Sequence, residues 1–529
     1  MTRRSSRVLA ALAALLLLGA SPSLIGAAHA AQYAQIEGSG STWSQVIVDQ
    51  WISDVDANGI KVTYNGGGSS AGRKNFAQNV TDFGISEIPY PGVDEFGNPD
   101  DAGGRKFAYL PVVAGGTAFT YQLKVGNTQV RNLRLSGETL VKIFTNKITN
   151  WNDPAIAKDN NGRTFPSLPI TPVVRSDGSG TTAQLTTWMD SEYASLWRPY
   201  FGKSGYTSYY PRRGRMLAQS GSDQVMNTIK GFAGNGTIGY VEYAYPLNED
   251  YPVVKVLNKG GYFVEPTQYN VAVALTRARI NQDKSSKDYL TQILTGVYRS
   301  SDPRSYPLSS YSYMIIPTGA DDRRMSTAKR QSLADFMYYS LCEGQSKAGA
   351  FGYSPLPLNL VQAGFTQIGQ LGKADKDVDL TNRSVTKCNN PTFVAGDLKR
   401  NKLAEIAPKP AACDKVGAGP CGTDTGTGEP STDGPAGGGS GQGGAGGGAG
   451  GKAGAGGGDT VIDPVTGEPV TQAGGGEVTS GDLMATPTEL SSARANDNRA
   501  FGWLAVLQLL ALVLVPGLLI GAFSRRSRA

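Results

Sequence analysis

Three turns in this chain combine glycine with hydroxyl side chains immediately before a predicted helix. They are Gly38-Ser39-Gly40-Ser41-Thr42-Trp43, Gly66-Gly67-Gly68-Ser69-Ser70-Ala71-Gly72 and Asp177-Gly178-Ser179-Gly180-Thr181-Thr182. Glycine lets backbone approach a ligand closely, hydroxyls donate hydrogen bonds, and the first N–H groups of a helix are free to point outward. Such an end holds an anion without a cation. One turn of this kind signifies little, since Gly/Ser turns cap helices everywhere. Three of them, with Arg175 two residues before the last, point to recognition of an oxyanion by hydrogen bonds. Catalysis has little to work with. The only histidine, His29, lies in the leader, so a mature chain has no imidazole base or ligand. Gly68-Ser69-Ser70-Ala71-Gly72 fits the G-x-S-x-G hydrolase pattern but has no histidine partner. Ser326-Thr327-Ala328-Lys329 fits S-x-x-K, yet Ser326 reads more simply as a helix N-cap.

The elements that must carry these turns alternate. Ile60–Tyr64 reads as a strand before the second turn, and Ser70–Asn79 as a helix after it. Ile170–Val174 repeats the plan before a helix opening at Thr181. Alternation of this kind predicts α/β layers with largely parallel strands. A globular stretch of about 370 residues exceeds a usual single core, so two lobes are expected. Trp151 reads as lobe packing, Asp82 as a structural acceptor, Arg73 as a solvated or helix-start residue, and Arg212, Arg213 and Arg215 as a solvated loop.

In order along residues 36–365, GSGSTW, VTYNGGGSSAGRKNFAQNVTDFGISE, LVKIFTNKITNWNDPAIAK, VVRSDGSGTTAQ and GTIGYVEYAYP resemble the phosphate-binding proteins of phosphate ABC transporters. The resemblance implies a two-lobed type II periplasmic-binding-protein fold that closes on inorganic phosphate. It implies no enzyme activity, cofactor or metal, and delivery to the permease subunits of a phosphate ABC transporter. By position, Thr42 and the backbone of Trp43 would contact the anion, and Ser69 would donate from the second helix start. Arg175 would be the cationic contact, held by Asp177, while Ser179, Gly180 and Thr181 would complete the cradle from the other lobe. Glu87 stands where the family places an aspartate that accepts the proton of hydrogenphosphate and repels sulfate. It keeps the acceptor and adds a methylene. Trp43 replaces a phenylalanine. The alternative is a surface protein for adhesion, scaffolding or sensing that keeps the fold with an altered site.

The ends predict export and anchoring. A basic leader, an apolar run at Val8–Ala20 and Ala28-His29-Ala30 make residues 1–30 a signal peptide, its apolar run too short to span a bilayer. Residues 501–523 contain an uncharged stretch, Leu504–Phe523, long enough to span, and Arg525, Arg526 and Arg528 follow in the tail 524–529. A single-pass anchor with the N-terminal domain outside is expected. Between them lie a binding domain at 31–404 and a Gly-rich linker at 405–500. Lobe 1 is expected at about 32–115 and 310–400, lobe 2 at about 116–309, with crossovers near Pro111 and Ile315. As a flexible coil the linker would reach about 50–60 Å.

The chain carries 50 basic and 44 acidic residues. Six of the basic ones (Arg3, Arg4, Arg7, Arg525, Arg526 and Arg528) lie in the leader and tail, so the remainder is neutral and no nucleic-acid partner is suggested. Four cysteines in an exported chain point to disulfides, most simply Cys342 with Cys388 and Cys413 with Cys421. The other two pairings stay open, and zinc is disfavoured because no C-x-x-C pair occurs.

Overall fold

The computed structural model describes residues 33–421 except Lys287, Thr386, Lys387, Ala395, Gly396, Leu398 and Lys399. The expected signal peptide, the linker beyond 421, the membrane span and the tail lie outside the described residues. Among those described, no helix is long and apolar enough to cross a membrane.

One eight-stranded sheet organises the molecule. Its strands are β1 (Ile36–Gly40), β2 (Val62–Asn65), β3 (Phe83–Ser86), β4 (Phe107–Tyr121), β5 (Thr171–Arg175), β6 (Leu217–Gln219), β7 (Thr237–Glu242) and β8 (Ser309–Pro317). Their spatial order is β6-β5-β7-β4-β8-β3-β1-β2. Each end is parallel, as the alternation predicts: β1 pairs with β2 and β3, and β5 with β6 and β7. The two long central strands run antiparallel to their neighbours.

Strand β4 joins the lobes. Its first part, to Gly116, pairs with β8, and from Thr117 it pairs with β7. Almost all of its side chains are buried, which suits the near-continuous apolar sequence FAYLPVVAGGTAFTY. The hand-over falls at Gly115-Gly116. A Cβ on Gly116 would lie 2.4 Å from Pro266, so only glycine passes there. The lobes therefore change over at Gly116 and Ser309, beside the expected lobe limits. Pro111 and Ile315, expected as crossovers, sit inside the lobe 1 ladder instead. Pro111 lies beside a register shift between Tyr311 and Tyr313, where a residue without an N–H is tolerated.

Helices cover the sheet. Helix α1 (Gln45–Asp56) buries Ile47, Val48, Trp51 and Val55, a one-face spacing, and the Trp51 indole donates to Gly344 O at 2.8 Å. Helix α2 (Ser69–Ala77) packs on β1 and β3. In lobe 2, α3 (Gly137–Phe144), α4 (Gly180–Glu192) and α5 (Gly221–Lys230) follow, with α5 on β5 and β7. Then come α6 (Gln268–Leu275), α7 (Thr327–Leu341) and α8 (Leu358–Ala374). Ser326 caps α7, its hydroxyl accepting from the Lys329 N–H at 3.3 Å. Trp151 is buried and donates to Gly236 O, and Asp82 is buried, accepting from Glu37 N and Lys329.

The domain continues past the expected linker start at 405. Helix α9 (Lys402–Ile406) packs on α6 through Leu403, Ala404 and Ala407. Arg304 donates to the carbonyls of Ala404 and Ala407, and Arg134 to those of Cys413 and Ala418. Lys255 pairs with Asp414 at 2.9 Å. Residues 405–421 thus belong to the folded body and lie on lobe 2, a hold made by distant arginines rather than by local periodicity. Disulfides join Cys342 to Cys388 and Cys413 to Cys421.

Candidate functional site

The three glycine–hydroxyl turns meet between the lobes. Strand β1 ends at Gly40 and leads through Ser41, Thr42 and Trp43 into α1. Thr42 is buried, its hydroxyl 3.1 Å from Ser222 Oγ and accepting from the Ser222 N–H at 3.2 Å. Trp43 does not turn its backbone N–H outward. That N–H donates to Ser41 Oγ at 3.0 Å, and the indole packs edge-on against Tyr353. Ser69 opens α2 and donates to Glu87 Oε2 at 2.7 Å.

Lobe 2 supplies the facing wall. Arg175 ends β5 and is 2% exposed. Its Nε donates to Asp177 Oδ1 at 2.7 Å and its Nη2 to Asp177 Oδ2, a fork that fixes the guanidinium plane. The remaining nitrogen, Nη1, donates to Ser222 Oγ at 3.2 Å. Ser179 caps α4, its hydroxyl accepting from the Thr182 N–H at 3.2 Å and keeping its own proton to donate. The Gly180 N–H reaches across to Ser69 Oγ at 3.1 Å. Thr181 Oγ1 and Glu87 Oε1 are buried with no hydrogen-bond partner among the described residues.

Burial pushes the Glu87 carboxyl above its ordinary range. The hydroxyls of Ser41, Ser69 and Ser312 and the charge of Arg175 pull it the other way. The lobes are drawn together around this point. Ser70 N donates to Gly178 O at 3.0 Å, Gln184 Nε2 to Glu87 O at 2.7 Å, and Tyr245 Oη to Thr42 O. The cluster therefore offers hydroxyls, helix-start amides and one forked guanidinium around a central carboxyl. That set can hold a tetrahedral oxyanion carrying a proton. Among the described residues no group of three or more His, Cys, Asp or Glu could hold a metal ion.

Three residues at the site escape the sequence reading, among them Ser312, whose hydroxyl acts on the Glu87 carboxyl from β8. Ser222 links Thr42 to Arg175, and its segment Gln219-Ser220-Gly221-Ser222, just before α5, carries the same signal as the other three turns. Ser41 also belongs to the cluster, inside a turn already recognised. Arg73, expected as a solvated or helix-start residue, is 1% exposed, lies inside α2 and is paired with Asp100 at 2.6 Å. Arg212, Arg213 and Arg215 are exposed.

Comparison with known proteins agrees with this architecture. Residues 26–343 match the model of a PBP superfamily domain. The phosphate-binding protein PstS of Pasteurella multocida is 30% identical over 328 residues, 62% of this chain and 88% of that one. The PstS of Xylella fastidiosa strain 9a5c is 30% identical over 329 residues, 62% of this chain and 83% of that one. The PstS of Methanocaldococcus jannaschii is 29% identical over 347 residues, 64% and 86% of the two chains. In structure, a high-affinity periplasmic phosphate-binding protein bound with phosphate superposes with a TM-score of 0.51 at 19% identity, over 66% of this chain and all of its own. An ancestral soluble variant of the human phosphate-binding protein gives 0.50 at 20% identity, over 65% and 98%. With the matched domain, the parallel-ended sheet and the shared long central strands, this chain belongs to the PstS-like phosphate-binding proteins of the PBP superfamily.

Proposed function

We propose that the interlobe cleft captures inorganic phosphate and presents it to the permease subunits of a phosphate ABC transporter, binding without catalysis. The observation that carries this reading is the Arg175–Asp177 fork, which leaves Nη1 on the Ser222–Thr42 cluster at the meeting of the helix starts. Thr42, Ser69, Arg175, Ser179, Gly180 and Thr181 are the anion's contacts, with Ser222 added to them. Trp43 acts through the shape of its turn. Glu87 accepts the proton of hydrogenphosphate, which sulfate lacks. The leader and the apolar stretch at 501–523 support export and a membrane tether, which would keep the receptor close to its transporter by raising effective concentration.

Calorimetric titration of the purified protein with phosphate, then sulfate and arsenate, tests the reading. Micromolar or tighter phosphate binding that sulfate cannot displace is expected. Arg175→Ala should weaken it at least about tenfold, since a hydrogen bond to a charged group is worth about 1.5–3 kcal/mol. Unchanged affinity in that variant would sink the site assignment. No heat with any anion in a folded sample would instead mean a fold kept for surface interaction.

A further inference from the structure

The longer acidic side chain at position 87 does more than replace an aspartate. Glu87 belongs to lobe 1, at the end of β3, yet its carboxylate lies against the first turn of α4 in lobe 2. A Cβ built on Gly180 would fall 2.0 Å from Glu87 Oε2 and 3.0 Å from Glu87 Cβ. Glycine at 180 is what admits the carboxylate. The same Oε2 accepts from Ser69 Oγ, which in turn accepts the Gly180 N–H of lobe 2, so the carboxylate fixes the hydroxyl that makes the cross-lobe bond. Its backbone carbonyl accepts from Gln184 and Gln292, both outside lobe 1. Arg175 lies close enough for its charge to act on the carboxyl. The Ser69 hydroxyl, the Gly180 helix start and the Arg175 charge, all proposed above for the bound anion, thus already face this carboxylate.

We infer that Glu87 is a tethered anion, whose carboxylate takes the ligand's place at the start of α4, latches the lobes through Ser69, and must shift from there to the ligand's edge, where it accepts the proton, when phosphate binds. The inference rests on the phosphate reading of this cleft, but the latch itself can be measured apart from it. An aspartate, one methylene shorter, would withdraw from Gly180 while keeping a proton acceptor at the site. Glu87→Asp should then bind phosphate at least about tenfold more tightly than the parent chain, because one charge-assisted contact no longer competes. Glu87→Gln keeps the shape and removes the charge, and should also bind more tightly than the parent.

Two measurements on the full chain decide it. The first is the phosphate dissociation constant of the parent, Glu87→Asp and Glu87→Gln. The second is hydrogen–deuterium exchange of the segments around Gly180 and Ser222, with and without phosphate. In the parent these amides should be protected without phosphate and gain little when it is added. In Glu87→Asp they should exchange faster without phosphate and recover protection with it. Equal or weaker phosphate binding by both variants, beside a parent that binds, overturns the latch and leaves the phosphate reading standing. If no form binds phosphate, that reading fails, and exchange decides the latch alone: faster exchange in Glu87→Asp upholds it and unchanged exchange overturns it.

Discussion

Two buried arginines, one in each lobe, make the same fork with an aspartate and do different work. Arg73 donates through Nε to Asp100 Oδ1 at 3.0 Å and through Nη2 to Asp100 Oδ2 at 2.6 Å. Arg175 treats Asp177 in the same way. The difference is where the spare donors go. Arg73 spends them on Ser86 Oγ and Ser70 Oγ, within its own lobe. Arg175 directs Nη1 to Ser222, whose partner Thr42 belongs to the other lobe. A forked guanidinium is thus a structural clamp or a cleft donor according to the one nitrogen the fork leaves over.

The largest expected effect breaks the lobe 1 clamp. Arg73→Ala would leave Asp100 facing a buried site with no counter-charge, and breaking a buried pair in this way costs about 3–5 kcal/mol. Denaturant unfolding should show a loss of that size, while phosphate affinity of the folded fraction stays within about threefold, short of one hydrogen bond's worth. A tenfold loss of affinity with stability intact would reverse the roles assigned to the two arginines.

How far these roles can be read from sequence depends on distance along the chain. Arg175 and Asp177 stand two residues apart in a turn already marked by glycine and hydroxyls, so their pairing is legible. Asp100 lies 27 residues beyond Arg73 in the short strand Pro99–Asp100, which pairs with Gly92–Val93, and nothing local connects it to Arg73. The turns at Thr42, Ser69 and Thr181 are legible because backbone chemistry there is local. Ser222 carries the same local signal and could have been found by it. The hold on residues 405–421 could not, because Arg134, Lys255 and Arg304 come from distant parts of the chain while the segment itself reads as Ala/Pro/Gly coil. The alternation predicts largely parallel strands and the length predicts two lobes, while the antiparallel pairing of the two central strands is outside both. The place where β4 changes partners depends on tertiary fit at Gly116 and is not a pattern in the chain.

A second contrast between the lobes is a buried carboxyl on lobe 2 that has no fork. Burial pushes Glu265 up to about 7 from 4.5, with Lys255 opposing and Asp414 adding to the rise. Its Oε1 has no hydrogen-bond partner among the described residues, and Tyr121, Tyr243 and Tyr306 feel its charge. A carboxyl that holds its proton more tightly when folded adds stability at pH below 4.5, and this is lost as pH rises through about 7. The change amounts to about 3 kcal/mol. Glu265→Gln should remove this part of the decline, so the difference in stability between variant and parent should grow from pH 5 to pH 8. Glu87 and Glu242 are raised by burial too, so the variant keeps a residual slope of the same sign. A variant-minus-parent difference flat across that range would show that Glu265 is already solvated or paired in solution.

The smallest effects separate the arginines most cleanly, because they remove the acceptor at the spare nitrogen, together with the bonds of Ser86 Oγ to Ile88 and of Ser222 Oγ to Thr42, and leave the fork. Ser86→Ala and Ser222→Ala each delete one hydroxyl from a guanidinium whose aspartate fork remains. The loss in each case is about 0.5–1.5 kcal/mol, the net value of one hydrogen bond. For Ser86 the loss should appear in unfolding and leave phosphate titration unchanged. For Ser222 it should appear as a threefold to tenfold weaker phosphate affinity, by about the same energy, because this hydroxyl orients the free nitrogen of Arg175 and braces Thr42. If Ser222→Ala lowers stability alone, the contact of the nitrogen outside the fork is structural in both lobes. Cleft binding would then rest on the helix-start amides and the hydroxyls of Ser69 and Thr181, with Arg175 serving as background charge.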